Sequence, residues 1–520
     1  MSSGKLESIF ANIQNQLSAS LEQGDITFEK FTKIFIDNFV NLDNIAYLIK
    51  VISKSQLLSN NKEELANVFK TIIDNFFKSY SAKVSEIVEK PIFETVGSEY
   101  FEEGEITSLV AELLGSQDFV NLIKKFVDVY IYNSEDFAEI ESINDFILSF
   151  FKNQANNREI ATLINQNLQN VLENKKVKQI FGNLLYNVLK SKNLTNQITK
   201  EQIVQAVDDL LSLANGLNNE FDLTNVLIKN LLNELPVHGI TNFSQLISNS
   251  LKATFNEVFG GQNFNKNFVA LVKTFSNSDL IENNKPLLKQ LVTNYLESQS
   301  FASLSTVVRN AVEGRRITRY FSAAAFERLS QVVFGGQYIK NLFSRAVDST
   351  IENHDAFKNV TSTNEIIIKV LEHTDLDEVK NNISGLINSI KDSKDFPYLI
   401  KDIFTSFFTK YNIPVDPRAQ QFFDDLSNDA KAIIDDLNFI EPFITDVFDF
   451  IKTIRNSENA IEEFDKLPDI ISKSLSKHLL NDPIGLIKKL VAKPYVRNNV
   501  DAIALLSKVV FNDVKARGYW

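Results

Sequence analysis

The sequence predicts an all-α protein built from several helical bundles or irregular helical repeats, with no β-sheet. Three observations carry this expectation. With 16 Gly and 10 Pro among 520 residues, the chain lacks the turn residues that closely spaced strands need. Apolar side chains recur at intervals of three and four, the period of a helix with one buried stripe. Segments between breakers run to about 12–20 residues, an ordinary helix length.

The pattern begins with Leu6, Ile9, Phe10, Ile13, Leu17 and Leu21, and Gly24 supplies a stop. Phe28, Phe31, Ile34, Phe35 and Phe39 repeat it, as do Leu65, Val68, Phe69, Ile72 and Phe76 behind a capping-box-like start at Asn61 and Glu64. A Ser three residues before a Phe, at Ser116/Phe119, Ser298/Phe301 and Ser393/Phe396, predicts three further capped helices whose first turn buries the ring.

Val258-Phe-Gly-Gly-Gln262 returns as Val333-Phe-Gly-Gly-Gln337, each copy read as helix, Gly-Gly corner, helix, with the glycines accommodating positive φ. Prolines crowd the C-terminal third, from Pro397 to Pro494. A chain this long exceeds the size of one hydrophobic core. The expected division is therefore an N-terminal helical module, 1–105; a helical module, 106–235; a duplicated helix–Gly-Gly–helix module, 236–360; and a proline-punctuated module, 361–520.

Phe is abundant at 42 copies against one Trp, so ring bulk fills the cores. There is no Cys, and Met1 is the sole Met, which removes disulfides, thiolate nucleophiles and Cys-based metal sites. A chain so poor in sulfur suits an oxidising, extracellular setting, and secretion is the expected localisation. The N-terminal stretch has no apolar signal-like core, and no run of about 18 apolar residues predicts a transmembrane segment. A net charge of −12 argues against general nucleic-acid binding.

Four histidines, His238, His354, His373 and His478, show no metal-binding spacing, and Glu372-His373 with Asp375, Asp377 and Glu378 reads as a solvated acidic turn. Phosphate loop, dinucleotide fingerprint and nucleophile elbow are all absent from the sequence. The chain is expected to be a non-enzyme without cofactor or metal.

Charge placement points to surfaces instead. Arg309, Arg315, Arg316, Arg319, Arg328, Lys340 and Arg345 form a basic stretch, and Glu94, Glu99, Glu102, Glu103, Glu105, Glu135 and Asp136, followed by Glu139 and Glu141, form an acidic one. Arg forks recognise carboxylates, so the two stretches are candidate partners between chains.

Ser250-Leu251, Phe255, Gly260, Asn263, Phe268-Val269, Leu271-Val272 and Phe275 resemble the last two helices of spider-silk N-terminal domains, with two residues inserted after Asn263. That resemblance implies an extracellular fibre protein whose five-helix modules assemble through charge pairing and pH-sensitive carboxylates. The chain departs from the family in lacking buried methionines, Gly/Ala-rich tracts and a low charge density. Tyr295-Leu-Glu-Ser-Gln-Ser-Phe301, echoed by Leu113 to Phe119, is similar to the repeat of the cockroach midgut allergens, helical shells that enclose lipid.

The function expected from these features is structural: self-association through helical faces and complementary charge. A lipid-binding helical shell and a bacterial helical toxin or effector are the alternatives. If the charged stretches pair between chains, neutralising Arg315, Arg316 and Arg319 lowers self-association at low salt. Sedimentation velocity unchanged by the substitutions would count against that pairing.

Overall fold

In the computed structural model the chain is helical over 83% of its length, and no strand occurs among the described residues, as the composition predicts. The structure describes residues 3–39, 41–96, 100–298, 301, 304–305, 322–410, 412–516 and 518. The first helix, Ser3–Glu22, ends where Gly24 takes φ +65, a left-handed residue that costs glycine nothing. Lys62–Val96 is a single helix of 35 residues, well beyond the expected segment length.

Several caps differ from expectation. The Asn61 side chain does not open the helix after it; its amide donates to the Leu57 carbonyl of the helix before it, at 2.9 Å. Ser393 closes the helix Leu376–Asp392, and its hydroxyl accepts from the Asp395 amide at 3.1 Å in the turn before the helix that starts at Phe396. Ser116 makes no capping bond, and Ser298 closes a helix by donating to the Tyr295 carbonyl. The Gly-Gly corners also diverge. Gly261 adopts φ +54 as the first residue of a short 3₁₀ turn, whereas Gly336 stays extended at φ −97 and needs no left-handed backbone. Pro417, Pro468, Pro483 and Pro494 all sit in the first turn of a helix, where the missing N–H has no intrahelical acceptor to lose.

The chain divides into two compact units, residues 1–257 and 258–520, the boundary falling within the expected 236–360 segment. Internally the two units repeat one design. Ten of the 22 residues from Asn44 to Leu65 are identical to those from Asn267 to Leu288. Gly115, Gln117, Asn121, Val127, Asp128, Asn133, Phe137 and Ser142 recur as Gly335, Gln337, Asn341, Val347, Asp348, Asn353, Phe357 and Ser362.

Side-chain hydrogen bonds recur at the matched positions. Ser55 and Ser278 each cap a five-residue helix by accepting from the amide two residues on, at 3.2 and 3.1 Å. Asn133 and Asn353 donate back to the carbonyls of Val129 and Ser349, at 3.1 and 3.0 Å. Ser142 and Ser362 accept from the amides of Asp145 and Glu365, whose carboxylates accept in turn from the amides of Glu141 and Thr361. These are the carbonyls and amides that helix ends leave without partners. The repeat is therefore preserved most faithfully where backbone groups must be satisfied.

At the heart of each unit a long helix, Gln117–Tyr132 or Gln337–Glu352, runs into a 3₁₀ turn that drives one Phe inward. Phe137 and Phe357 have no exposed surface. Phe137 packs edge-on against Tyr130 and Phe150, with centroids at 5.0 and 4.9 Å. Phe357 packs with Val360 and Ile366 against Phe268, Val269 and Val272. Phe137→Ala and Phe357→Ala should each destabilise their own unit by about 3–5 kcal/mol, the cost of emptying a filled core site. Urea melts of the single and double variants check this, with near-additive losses expected for distant sites.

Candidate functional site

Arg309, Arg315, Arg316, Arg319, Glu94 and Glu99 lie outside the residues whose side chains are described. The remaining members of the two charged stretches are largely engaged within their own units. Arg345 donates through Nε to Glu378 at 2.7 Å, Arg328 stacks over Tyr398 with 4.6 Å to the ring centroid, and Lys340 lies 5.9 Å from the centre of Phe301. Glu102 pairs with Lys200 at 2.8 Å, and Glu105 accepts from the Glu102 amide at 2.7 Å. Glu135 faces Lys62 at 3.6 Å, Glu139 faces Lys54 at 3.3 Å, and the Asp136 carbonyl accepts from Ser149 and Lys152. Glu103 is exposed.

Two apolar faces stand out instead. In the first unit, Ser3–Glu22 packs against Phe28–Asn38 and leaves an open groove of about 450 Å³ lined by Phe10, Ile13, Leu17, Leu21, Ile26 and Phe31. Leu21 is 69% exposed there. Between residues 3 and 38 five acidic residues oppose three lysines. Lys30 and Lys33 are held by Asp25 and Asp37, and Glu29 is held by Lys83, which leaves Glu7 and Glu22 as the acids of this segment without an ion pair among the described residues.

In the second unit, Leu480 ends the helix Leu467–Leu480, and Ile484, Ile487 and Val491 share one face of Pro483–Val491. These four are exposed, Ile484 at 69%. Six Lys and Arg residues oppose two Asp between 467 and 497, so this segment has a basic balance, with Lys493 paired to Asp436 and Lys489 donating to the Asp436 carbonyl. Single exposed apolar residues are ordinary, but contiguous stripes mark interaction surfaces. The sequence pattern alone could not separate these stripes from core-facing ones, because both repeat at three and four.

Asp446 fastens the helix Leu467–Leu480 to its neighbour. Its Oδ2 accepts from Ser474 Oγ at 2.7 Å and lies 2.8 Å from His478 Nε2. The hydrogen bond from Ser474, then that with His478, holds the carboxyl below the ordinary Asp range. A depressed folded-state value stabilises above the unfolded-state pKa, and the contribution is lost as pH falls through the folded value.

A third feature is a polar pocket of about 240 Å³ in the second unit, lined in part by Arg345, Asp348, Ser349, Glu352, His373 and Thr374. His373 and its acidic neighbours do form a largely committed turn: Asp375 caps the following helix, Asp377 pairs with Lys452 at 2.7 Å, and Glu378 holds Arg345. Asp348, Ser349 and Thr374 carry no motif that sequence reading could single out. Among the described residues, no group of His, Asp and Glu is placed to hold a metal ion, and no helix is long and apolar enough to cross a membrane.

Asp446→Asn should lower stability at neutral pH, and its difference from the parent protein should vanish in acid, below the depressed Asp446 value. Paired urea melts across that range provide the check. Compared with known protein families, characterised proteins and solved structures, the chain matches none.

Proposed function

We propose that this is a non-enzymatic structural protein that assembles head to tail, the apolar stripe of the basic C-terminal segment of one copy seating in the apolar groove of the acidic N-terminal segment of the next. The observation that carries the reading is the pair of exposed stripes with opposite charge balance: Phe10, Leu21, Ile26 and Phe31 on one face, Leu480, Ile484, Ile487 and Val491 on the other. Magnitudes assign the roles. Fully burying a Leu, Ile or Phe contributes roughly 1.5–3 kcal/mol, whereas an exposed ion pair contributes about 0–1 kcal/mol. Apolar contact therefore sets affinity, and charge sets direction and approach rate. Two different faces meeting make a heterologous contact, which propagates into filaments unless its rotation closes a ring. An extracellular setting suits such a material, given the absence of cysteine and of any methionine beyond Met1.

A second reading, lipid binding, is favoured by an apolar cavity of about 200 Å³ in the first unit, lined by Leu109, Leu113, Leu168, Leu172, Ile180 and Phe181 among others. Mass spectrometry of the protein as purified tests it: a stoichiometric fatty acid or phospholipid would support the shell.

Sedimentation velocity over a concentration series separates the two. Assembly predicts species growing with concentration and persisting at high salt, with Leu21→Glu reducing them to monomers. A single chain mass at every concentration, with lipid released on denaturation, would replace assembly with the lipid reading.

A further inference from the structure

The two units pack one matched pair of helices differently. In the second unit Leu376–Asp392 packs on Ile440–Ile454, and Val379, Ile383 and Ile387 close against a cluster that includes Ile444, Phe448 and Ile451. In the first unit the corresponding helices are Gln154–Val171 and Leu223–His238. The caps fix the register: Asn153 and Asp375 each accept from the amide two residues on, both at 3.0 Å. Counted from those caps, the places of Val379, Ile383 and Ile387 are held by Asn157, Ala161 and Asn165.

Two amides and a methyl thus stand where three branched apolar side chains join the helices of the other unit, and truncation of that kind leaves space unless the helices collapse together. They do not collapse. A pocket of about 290 Å³ opens between them, with Phe151, Ala161, Ile228 and Leu232 as its apolar wall and Arg158 and Lys229 also lining it. Both amides are turned to partners of their own: Asn157 donates to the Phe151 carbonyl at 2.9 Å, and Asn165 accepts from the Thr224 hydroxyl at 2.8 Å.

Arg158 is exposed, and its guanidinium has no ion pair or hydrogen bond among the described residues. The charges around it are engaged elsewhere: Lys229 with Glu257, Glu159 with Lys125, and Asp222 with the Asn225 amide. An apolar wall beside one uncommitted guanidinium complements a molecule with a hydrocarbon body and a carboxylate, since Arg offers a planar fork of N–H donors to the two oxygens.

We propose that this pocket of the first unit binds a small amphiphilic carboxylate, its hydrocarbon part against Phe151, Ala161, Ile228 and Leu232 and its oxygens accepting from Arg158. The ligand fills the space that Val379, Ile383 and Ile387 fill in the second unit. Buried carbon supplies the affinity, and Arg158 selects the sign of the head group. The site shares no lining residue with the apolar cavity at Leu109 and Phe181, and it is independent of how copies assemble.

The test is an isothermal titration of the full chain with sodium hexanoate at low salt, beside hexylammonium chloride, which has the same hydrocarbon chain and the opposite charge. Hexanoate should bind at least about tenfold more tightly than hexylammonium, the scale of one charge-assisted hydrogen bond. Arg158→Gln should remove that preference. Ala161→Ile, which restores the side chain of the second unit, should abolish hexanoate binding, whereas Lys380→Gln at the position matched to Arg158 should leave it unchanged. Thermal melts establish that each variant is folded. No binding of hexanoate, equal binding of the two ions, a preference that survives in folded Arg158→Gln, or undiminished binding by folded Ala161→Ile would overturn the assignment.

Discussion

Each unit depends on one buried ring at the end of its central helix. When the helix stops at Asn133 or Asn353, the asparagine side chain turns back to satisfy a last-turn carbonyl, and the following 3₁₀ turn pushes Phe137 or Phe357 into the core. The next helix starts under a serine cap only a few residues later, at Ser142 or Ser362. Chain reversal, ring burial and helix initiation are thereby compressed into about ten residues, which sets where the flanking helices can pack. Backbone groups at such a corner have no intrahelical partners. That explains why the matched positions are so often Asn and Ser rather than apolar residues.

Repetition of the unit made room for divergence. At the corner itself, Ser134 of the first copy is replaced by His354, which brings Nδ1 to 3.1 Å from the Ser276 carbonyl and Nε2 to 2.6 Å from Glu282. The first copy instead links Ser53, the counterpart of Ser276, to the Tyr130 hydroxyl at 3.0 Å. The matched serines thus keep a polar link to the corner region, but Ser53 meets the central helix and the Ser276 carbonyl meets the 3₁₀ turn after it. Outside the repeated core, the copies carry different additions: an N-terminal helix pair bearing an apolar groove, and C-terminal helices bearing an exposed apolar stripe. The proposed assembly joins these two additions and uses neither of the repeated cores as a contact.

Helices were legible in the sequence because their apolar period is local: Leu6 to Leu21 reads as a helix without knowledge of what covers it, and Gly24 marks its end. The recurrence at Val258 and Val333 was legible because five consecutive residues match. The larger repeat was not, because its identities are scattered polar residues such as Asn44, Ser53, Asn133 and Ser142, whose roles appear only once helix ends are located. Ser116 and Ser298 looked like caps because Ser serves either end of a helix, and sequence does not reveal which carbonyl or amide it meets. Charge stretches are harder to read for a related reason. Arg345 and Glu378, or Glu102 and Lys200, lie far apart in the chain yet meet across helices, so clustering in sequence said little about which charges remain available.

The head-to-tail account is tested most directly by complementation. Leu21→Glu blocks only the groove and Ile487→Glu blocks only the stripe, so neither variant can extend a chain, but each retains the face the other lacks. An equimolar mixture examined by sedimentation velocity should yield a heterodimer and nothing larger, while each variant alone stays monomeric. A mixture that remains monomeric, or single variants that still form long assemblies, would contradict the claim that these two faces join one copy to the next.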